Sequence, residues 1–280
     1  MKHLLAVRNL TASDLAAILQ LSEQPAPKIL QDKGVALYFE KPSSRTRNSM
    51  EMATFQLGGH PVYIQKDELG TGTRESVEDV TNTLAAYYAI IAGRVFDHGL
   101  LEQMAKVNVT PVLNMLSGSD HPLQAFADLL TIKQLLGRIE GVRVAFLGEW
   151  NNVSRSLGEA CELAGAEFVL ASPEGYGHEH STTDPREAVN RADIVYTDVW
   201  VSMGGEDSAE RQQAFQPFQV DEALVGACPN AWFLHCLPAR RGEEVSASVI
   251  DGPRSAVWKQ AQNRMHTARG AMLWMMGQNS

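Results

Sequence analysis

The sequence predicts an α/β protein with two doubly wound domains, each built on a parallel sheet, joined by interdomain helices. Short apolar segments alternate with amphipathic ones along almost all of the 280 residues. Such alternation is typical of parallel strands whose faces are covered by helices. The alternation is interrupted at Gly137 and Gly141 and then starts again. We therefore expect one domain over residues 1–133 and a second over residues 134–258, with a C-terminal helix, residues 259–280, packing back on the first.

In the first half, the strands are predicted from short apolar runs bounded by polar or turn residues. They lie at Val35–Phe39, His60–Ile64, Ala89–Ala92 and Pro111–Asn114. The helices are predicted where a capping residue or a proline precedes an amphipathic run. They cover Thr11–Leu21, Ser44–Leu57, Ser76–Tyr87, His98–Val107 and Pro122–Leu136. The last of these and the C-terminal helix are the segments that we expect to cross between the halves.

The second half repeats the pattern. Its predicted strands are Val142–Leu147, Glu167–Ala171, Ile194–Thr197 and Ala231–His235. Its predicted helices are Val153–Ala164, Pro185–Arg191, Phe218–Val225 and a terminal helix from about Lys259 to Met276. A nicotinamide cofactor is not expected, because Gly148–Asn152 places bulky side chains where a pyrophosphate needs bare backbone.

Charge and composition exclude several classes of partner. The formal net charge of −9 argues against a nucleic-acid partner, since a duplex binder needs a basic face. No apolar run is long enough to span a bilayer, and residues 1–8 do not resemble a signal peptide. The three cysteines, Cys161, Cys228 and Cys236, are an odd number without framework spacing, so a disulfide scaffold is not expected. We expect a cytoplasmic protein.

The segment Phe39–Arg47 carries the strongest functional signal. An apolar strand leads into Ser43-Ser44-Arg45-Thr46-Arg47, and a helix follows. Free backbone N–H groups and the helix dipole make such a turn a ready anion site. Arg45 and Arg47 add forked donors suited to phosphate or carboxylate oxygens. Taken alone, the segment could also be an ordinary helix cap with solvated arginines.

Polar residues also follow the other predicted strands, at the edge where ligands collect in open α/β sheets. They are Arg94, His121 with Gln124, Asn151 with Asn152, Asp198 with Ser202, and His235 with Cys236. Each has a plainer interpretation in isolation, as a salt-bridged arginine, a structural histidine at a helix N-terminus or an aspartate that satisfies a turn.

The pair His235-Cys236 is more specific, because a cysteine after a buried strand and beside a histidine could be an activated thiol. A zinc site is disfavoured, since adjacent residues rarely chelate one ion and no second ligand pair is suitably spaced. A cysteine hydrolase is disfavoured because nothing supplies the helix-borne elbow that such a nucleophile needs.

Taken together, four ordered motifs resemble the aspartate and ornithine carbamoyltransferases. They are S-x-R-T-R from Ser43, H-P-x-Q from His121, D-x-x-x-S-M-G from Asp198 and H-C-L-P-A from His235. The resemblance extends from about Leu10 to the terminal helix. The first two motifs mark the carbamoyl phosphate site of the superfamily, and the last two resemble the ornithine branch.

The resemblance implies a role for each matching residue. Carbamoyl phosphate is expected to bind Ser43, Ser44, Arg45, Thr46, Arg94, His121, Gln124, Cys236, Leu237 and Arg264. Ornithine is expected to bind Asn152, Asp198, Ser202 and Met203. Arg94 and His121 would polarise the carbamoyl carbonyl, and Cys236 with Asp198 would help to deprotonate the amine. Residues 1–133 would be the carbamoyl phosphate-binding domain and residues 134–258 the ornithine-binding domain, in a homotrimer that requires no metal or organic cofactor.

The chain departs from the family pattern in four places. Ser44 replaces a threonine, and Trp150 stands in a segment that usually reads G-D-G-N-N. Residues Gly177–Thr183 replace a longer helix and strand, and Lys66–Arg74 lacks the glutamine or histidine that family members send to a neighbouring subunit. A tryptophan beside the acceptor-binding asparagine leaves the acceptor open.

The resemblance implies an enzyme that transfers a carbamoyl group from carbamoyl phosphate to ornithine. Because the acceptor is open, two alternatives remain. One keeps carbamoyl phosphate and changes the acceptor to lysine, a shorter diamino acid, acylated ornithine or putrescine, although Asp198 with Ser202-Met203-Gly204 argues against putrescine. The other is a non-catalytic relative that binds carbamoyl phosphate or an amino acid. The thiol at Cys236 argues against this second alternative, because a pure binding protein has no need of it.

Overall fold

The computed structural model describes residues 1–70, 74–201 and 208–278. The chain divides into two compact units, residues 1–127 with 264–280 and residues 128–263. Each unit holds a four-stranded sheet in which all pairings are parallel. The predicted fold class, with two doubly wound α/β domains, is therefore confirmed.

In the first unit, the strands lie in the order β2-β1-β3-β4. They are β1 Gly34–Phe39, β2 His60–Gln65, β3 Tyr88–Arg94 and β4 Val112–Leu116. The helices that begin in this part of the chain are α1 Ala12–Glu23, α2 Ser44–Gln56, α3 Lys66–Leu69, α4 Val77–Tyr87, α5 His98–Val107 and α6 Pro122–Leu136, and a 3-10 turn covers Val7–Asn9. Because β1 and β4 are almost wholly buried, they are continuous apolar runs rather than alternating ones, with Asn114 of β4 as the buried polar exception.

In the second unit, the strands lie in the order β6-β5-β7-β8. They are β5 Arg143–Leu147, β6 Glu167–Ala171, β7 Ile194–Thr197 and β8 Trp232–His235. The remaining helices are α7 Asn152–Leu163, α8 Pro185–Val189, α9 Ala209–Phe215, α10 Glu222–Val225, α11 Ala247–Ile250 and α12 Val257–Met275, with a 3-10 turn at Gln216–Phe218. The boundaries between the units fall within α6 and α12.

One predicted helix is wrong. Residues Phe218–Val225 do not form a continuous helix, because Val220 is extended and forms an isolated parallel bridge with Val245. A new helix starts only after Asp221, whose side chain accepts a hydrogen bond from the N–H of Leu224. The preceding helix α9 was not predicted, and neither were α3 and α11, each of which has only four residues. The terminal helix begins at Val257 rather than at about Lys259 and ends at Met275.

Parallel strands deliver their carboxyl ends to one edge of each sheet. In the first unit that edge carries the residues after β1, the end of β3 and the residues after β4. In the second it carries the residues after β5, β7 and β8. These are the positions at which the sequence places its candidate site residues. Among the described residues, no helix is both long and apolar enough to cross a membrane.

Candidate active site

The first half of the candidate site is the N-terminus of α2. Ser43 caps this helix, and its hydroxyl accepts a hydrogen bond from the backbone N–H of Thr46 at 3.4 Å. Ser44 is exposed at the first helical position, while Thr46 is buried. The first turn of the helix therefore presents backbone donors and hydroxyls together, which suits an anion.

Arg94, the last residue of β3, reaches the same turn. Its guanidinium donates a hydrogen bond to the hydroxyl of Thr46 at 3.4 Å. Burial, and secondarily the positive charge of Arg45, lowers the pKa of Arg94 to about 10. Two cations that face one helix N-terminus repel one another, and a bound anion would relieve that repulsion.

Arg47 does not join this cluster. Its Nε donates to Glu51 at 2.7 Å, and its guanidinium lies 4.2 Å from the ring centroid of Tyr63. It therefore lies along the side of α2, and the interpretation of Arg47 as an additional forked donor to the anion is wrong. The arginine of this turn whose charge acts on Arg94 is Arg45.

His121 directly precedes α6 and belongs to the same unit. It is 7% exposed, and burial together with the charges of Arg264 and Arg94 lowers its pKa well below 6.5. The imidazole is therefore neutral at pH 7 and offers one N–H donor rather than a cation. Gln124 is buried one turn further along, and its backbone N–H donates to the carbonyl of His121 at 3.1 Å. The structure thus brings Thr46, Arg94, His121 and Arg264 into one electrostatic neighbourhood.

A buried carboxylate that the sequence analysis missed anchors the loop before His121. Asp120 is fully buried and forms a bidentate ion pair with Arg8. His98 lies 3.5 Å from the same carboxylate, and the Nδ1 of His98 lies 2.8 Å from the hydroxyl of Ser117. These contacts tie the loop after β4 to α5 and to the N-terminal segment. The position of Asp120 immediately before the H-P-x-Q motif is the sequence signal that could have indicated it.

In the second unit, a thiol and a carboxylate meet. Cys236 follows β8, Asp198 follows β7, and the thiol of Cys236 donates to the carboxylate of Asp198 at 3.0 Å. Asp198 is 7% exposed, and its carboxylate also accepts the N–H of Val199 at 2.8 Å. Because β7 and β8 are neighbouring parallel strands, their carboxyl ends bring these two residues together.

His235, the last residue of β8, stabilises the turn that follows Cys236 through hydrogen bonds of its imidazole ring. Its Nδ1 accepts a hydrogen bond from the N–H of Leu237 at 2.8 Å, so Nε2 carries the proton and donates to Glu244 at 3.1 Å. Leu237 has a left-handed backbone with φ of 61°. The ligand atoms of Asp198, His235 and Cys236 lie within 4.8 Å of one another, as they would in a metal site. Both ring nitrogens of His235 already serve the turn, however, so the geometry favours a hydrogen-bonded network over chelation.

Asn152 is the first residue of α7, after the carboxyl end of β5. Asn151 caps the helix, and its side-chain oxygen accepts from the N–H groups of Val153 at 2.9 Å and Ser154 at 3.1 Å. The capping role therefore falls to Asn151, and Asn152 occupies the helical position that follows. Ser202 and Met203, which were also predicted to bind ornithine, lie outside the described residues.

Trp150 packs against the shortened segment of the chain. Its ring centroid lies 4.4 Å from that of His178 and 6.5 Å from that of Phe168, and its backbone N–H donates to Tyr176 at 2.8 Å. Two departures from the family pattern, the tryptophan and the shortened residues 177–183, therefore contact one another. Within residues 66–74, the described part shows Arg74 donating to the carbonyl of Glu68 at 3.1 Å.

An arginine-rich anion site on one parallel α/β unit and a thiol–carboxylate pair on another are the features of a two-domain group transferase. The family models agree with this class. Residues 2–134 match the carbamoyl-P binding domain of aspartate/ornithine carbamoyltransferase, and residues 140–275 match the Asp/Orn binding domain. The chain belongs to the aspartate/ornithine carbamoyltransferase family.

Individual relatives are similar over their whole length. Ornithine carbamoyltransferase from Parafrankia is 41% identical, with 100% of this chain and 97% of that protein covered. Among solved structures, ornithine carbamoyltransferase from Pyrococcus furiosus superposes with a TM-score of 0.93 at 40% identity, covering 99% of this chain and 97% of the other. The enzyme from Thermus thermophilus gives 0.91 at 42% identity, covering 98% and 99%.

Proposed function

We propose that the chain is an ornithine carbamoyltransferase, which transfers the carbamoyl group of carbamoyl phosphate to the side-chain amine of L-ornithine and releases citrulline and phosphate. The observation that carries the proposal is the Cys236–Asp198 pair, at 3.0 Å, in the unit that matches the acceptor domain. The name ornithine carbamoyltransferase, shared by relatives about 40% identical over full length, supports the same acceptor.

The donor is assigned to a carbamoyl phosphate-binding domain, which we propose to span residues 1–133 with the C-terminal helix, residues 259–280, packing back on it. Backbone N–H groups of the first turn of α2, with Ser43, Ser44, Arg45 and Thr46, would hold the phosphate. Arg94 and Arg264 add positive charge, and the neutral imidazole of His121 is suited to donate a hydrogen bond to the carbamoyl oxygen. Gln124 would hold the carbamoyl nitrogen, with help from backbone groups of Cys236 and Leu237. Negative charge develops on the carbonyl oxygen during attack, and preorganised donors stabilise it.

The acceptor is assigned to residues 134–258, with Asn152, Asp198, Ser202 and Met203 as its binding residues. Ornithine's side-chain ammonium, with a lysine-like pKa of roughly 10, must lose a proton before it attacks. A cysteine thiolate, with an ordinary pKa of about 8.5, is a closer match to that amine than a carboxylate. We assign this proton to Cys236. The thiol, which donates to Asp198 in the unliganded protein, would first lose its own proton to solvent, and the thiolate would then accept the ammonium proton while Asp198 holds the ammonium beside it. The new C–N bond then forms, the C–O bond to phosphate breaks, and the departing phosphate takes the second amine proton.

The acceptor is tested by a steady-state screen with carbamoyl phosphate and ornithine, lysine, diaminobutyrate, acetylornithine or putrescine. We expect ureido product with ornithine at a kcat/KM well above that for every other amine. A preference for another amine would overturn only the ornithine assignment. An absence of turnover with every acceptor would favour a non-catalytic binding protein.

Trp150 bears on this choice of acceptor. Because its ring packs on Phe168 and His178, we expect it to support the wall behind Asn152 rather than to fill an acceptor pocket. Replacement of Trp150 by glycine, the residue usual in the family, is therefore not expected to change the preferred acceptor. A switch of acceptor in that variant would contradict this assignment.

We further propose a cytoplasmic homotrimer that serves arginine biosynthesis. Large apolar side chains are exposed on the first unit, with Phe55 64% and Met52 46% exposed on one face of α2 and Tyr87 71% exposed at the end of α4. Met52 and Phe55 lie three residues apart on α2, and exposed apolar groups of this size favour burial against another subunit. Analytical ultracentrifugation should give the mass of three chains, and a monomer at micromolar concentration would contradict the proposal.

A further inference from the structure

Arg211, on the unpredicted helix α9, is almost buried, and none of its contacts within the described part of the chain is to a residue assigned to substrate. The whole residue is 9% exposed. Its guanidinium lies 5.0 Å from the ring centroid of Tyr176 and 5.1 Å from that of Phe215. Burial of an arginine is costly unless its donors are satisfied, so the partners of Arg211 identify what it holds.

Those partners lie in the segments that follow two different strands, β7 and β5. The Nε of Arg211 donates to the backbone carbonyl of Trp200 at 2.5 Å. Its two terminal nitrogens face the carboxylate of Glu149, at 2.7 Å and 3.5 Å. Trp200 follows β7, two residues after Asp198, and Glu149 follows β5, three residues before Asn152. One guanidinium therefore fixes both segments that carry the proposed acceptor-binding residues.

The Glu149 side of this arrangement continues into α7. The backbone carbonyl of Glu149 accepts a hydrogen bond from the hydroxyl of Ser154 at 2.7 Å, and that hydroxyl also accepts the N–H of Asn151 at 2.8 Å. The start of α7, with Asn152 in its first position, is thus tied to the same residue that Arg211 holds. The contact with Tyr176 extends the arrangement to the connection after β6, because Tyr176 accepts the N–H of Trp150 at 2.8 Å.

We propose that Arg211 is a positioning residue for the acceptor. It would fix the distance between Asn152 and Asp198 by holding Glu149 and the carbonyl of Trp200 at once, and so set the fit of an α-amino acid. The sequence signal is a helix capped by Ser208 a short way after the D-x-x-x-S-M-G motif, together with a glutamate where the family usually has aspartate. This inference rests on the proposed function, because it assigns the acceptor to Asn152 and Asp198.

The test compares Arg211→Met with Arg211→Lys and Glu149→Gln. In Arg211→Met, KM for ornithine and Kd for L-norvaline, which lacks the reacting amine, should rise roughly 10- to 100-fold, as small displacements of positioning groups do. KM for carbamoyl phosphate should stay within about twofold of the wild-type value, since the residues assigned to the donor are not changed. Arg211→Lys keeps the charge but loses the fork, so an intermediate loss is expected. Glu149→Gln keeps the shape of the side chain that Arg211 holds but removes its charge, and it should also raise KM for ornithine and Kd for norvaline.

Arg241→Met is the matched control. Arg241 also forms a two-pronged pair with a carboxylate of this unit, Asp251, at 2.7 Å and 2.9 Å, but both side chains are about half exposed. Its loss should leave every kinetic constant unchanged. A general loss of folded protein in Arg211→Met would lower apparent kcat and leave KM and Kd alone, so these two constants separate positioning from stability.

The outcomes are distinguishable. If wild-type protein turns over ornithine and every folded Arg211 and Glu149 variant keeps the wild-type KM and the wild-type Kd for norvaline, the positioning role is refuted and the proposed function stands. If Arg211→Met fails to fold, Arg211→Lys and Glu149→Gln decide in the same way. If wild-type protein neither carbamoylates any amine nor binds norvaline, the proposed function fails and this inference fails with it.

Discussion

Arg94 gives the sharpest quantitative expectation, because its replacement should weaken donor binding while it stabilises the unliganded protein. Burial lowers the pKa of Arg94 to about 10, and this lowering from the ordinary arginine value corresponds to roughly 3 kcal/mol of unfavourable free energy for the charged side chain in the fold. Replacement by Met keeps the aliphatic length and removes the charge. The hydrogen bond to Thr46, at 3.4 Å, is lost at a cost of about 1 kcal/mol. The net expectation is a gain of about 1 to 2 kcal/mol in the free energy of unfolding at pH 7.

Two measurements on Arg94→Met check this expectation. Urea unfolding without ligand gives the stability, and calorimetric titration with inorganic phosphate, the reaction product, gives the anion affinity. Affinity should fall about 10- to 100-fold, the range for loss of hydrogen bonds to a charged group. Arg47→Met is the control, since Arg47 lies on the same helix but pairs with Glu51, and its phosphate affinity should not change.

The pH dependence has a definite sign. Below about pH 10, Arg94 is charged in both the folded and the unfolded protein, so the full cost is present. Above that value the folded protein loses the proton first, so the stabilisation by Arg94→Met should shrink as pH rises and vanish once the unfolded chain is also neutral. If Arg94→Met is less stable than wild type at pH 7, or binds phosphate as tightly as wild type, Arg94 does not belong to an anion site in which its charge is repelled by Arg45.

Three further expectations concern the proton-transfer pair, His121 and the carboxylate that anchors the loop before it. Cys236→Ser should lower kcat on the order of 100-fold with little change in phosphate affinity, and Asp198→Asn should in addition raise KM for ornithine; unchanged kcat in both would remove the pair from proton transfer. The pKa of His121 lies well below 6.5 in the fold, so the unfolded chain binds a proton that the folded protein does not, and the free energy of unfolding should fall as pH falls below 6.5. An NMR titration of the His121 imidazole near pH 6.5 would contradict its burial beside Arg94. Asp120→Asn should cost roughly 2 kcal/mol of stability, because the buried carboxylate loses its charge-assisted hydrogen bonds with the half-exposed Arg8. An unfolding free energy within about 0.5 kcal/mol of wild type would show that the network is dispensable.

The sheets and most helices could be predicted because the sequence is locally consistent with them. Strand β1 is apolar throughout, as a strand buried on both faces must be, and Ser43 is a strong helix cap. The failure at Phe218–Val225 has a different cause. Val220 is extended because it pairs with Val245, a distant residue, and no local pattern reports such a partner.

The candidate site divides in the same way. Residues that lie at the carboxyl ends of strands, such as Arg94 and Cys236, could be placed from the alternation of elements alone. Arg47 could not, because its contact with Tyr63 depends on how α2 packs against β2, although its pair with Glu51, four residues further along the same helix, is a local one. Arg211 and Asp120 were missed for a related reason, since each acts through buried contacts with segments far away in sequence.

The most direct test of the central claim is a single reaction that contains carbamoyl phosphate with equal concentrations of L-ornithine and L-aspartate. Ureido products are identified by mass spectrometry, and phosphate is measured in the same sample. We expect citrulline and phosphate in a one-to-one ratio and no carbamoyl-aspartate above the background without enzyme. Carbamoyl-aspartate as the main product, or phosphate released without any ureido compound, would contradict an ornithine carbamoyltransferase built on the Cys236–Asp198 pair.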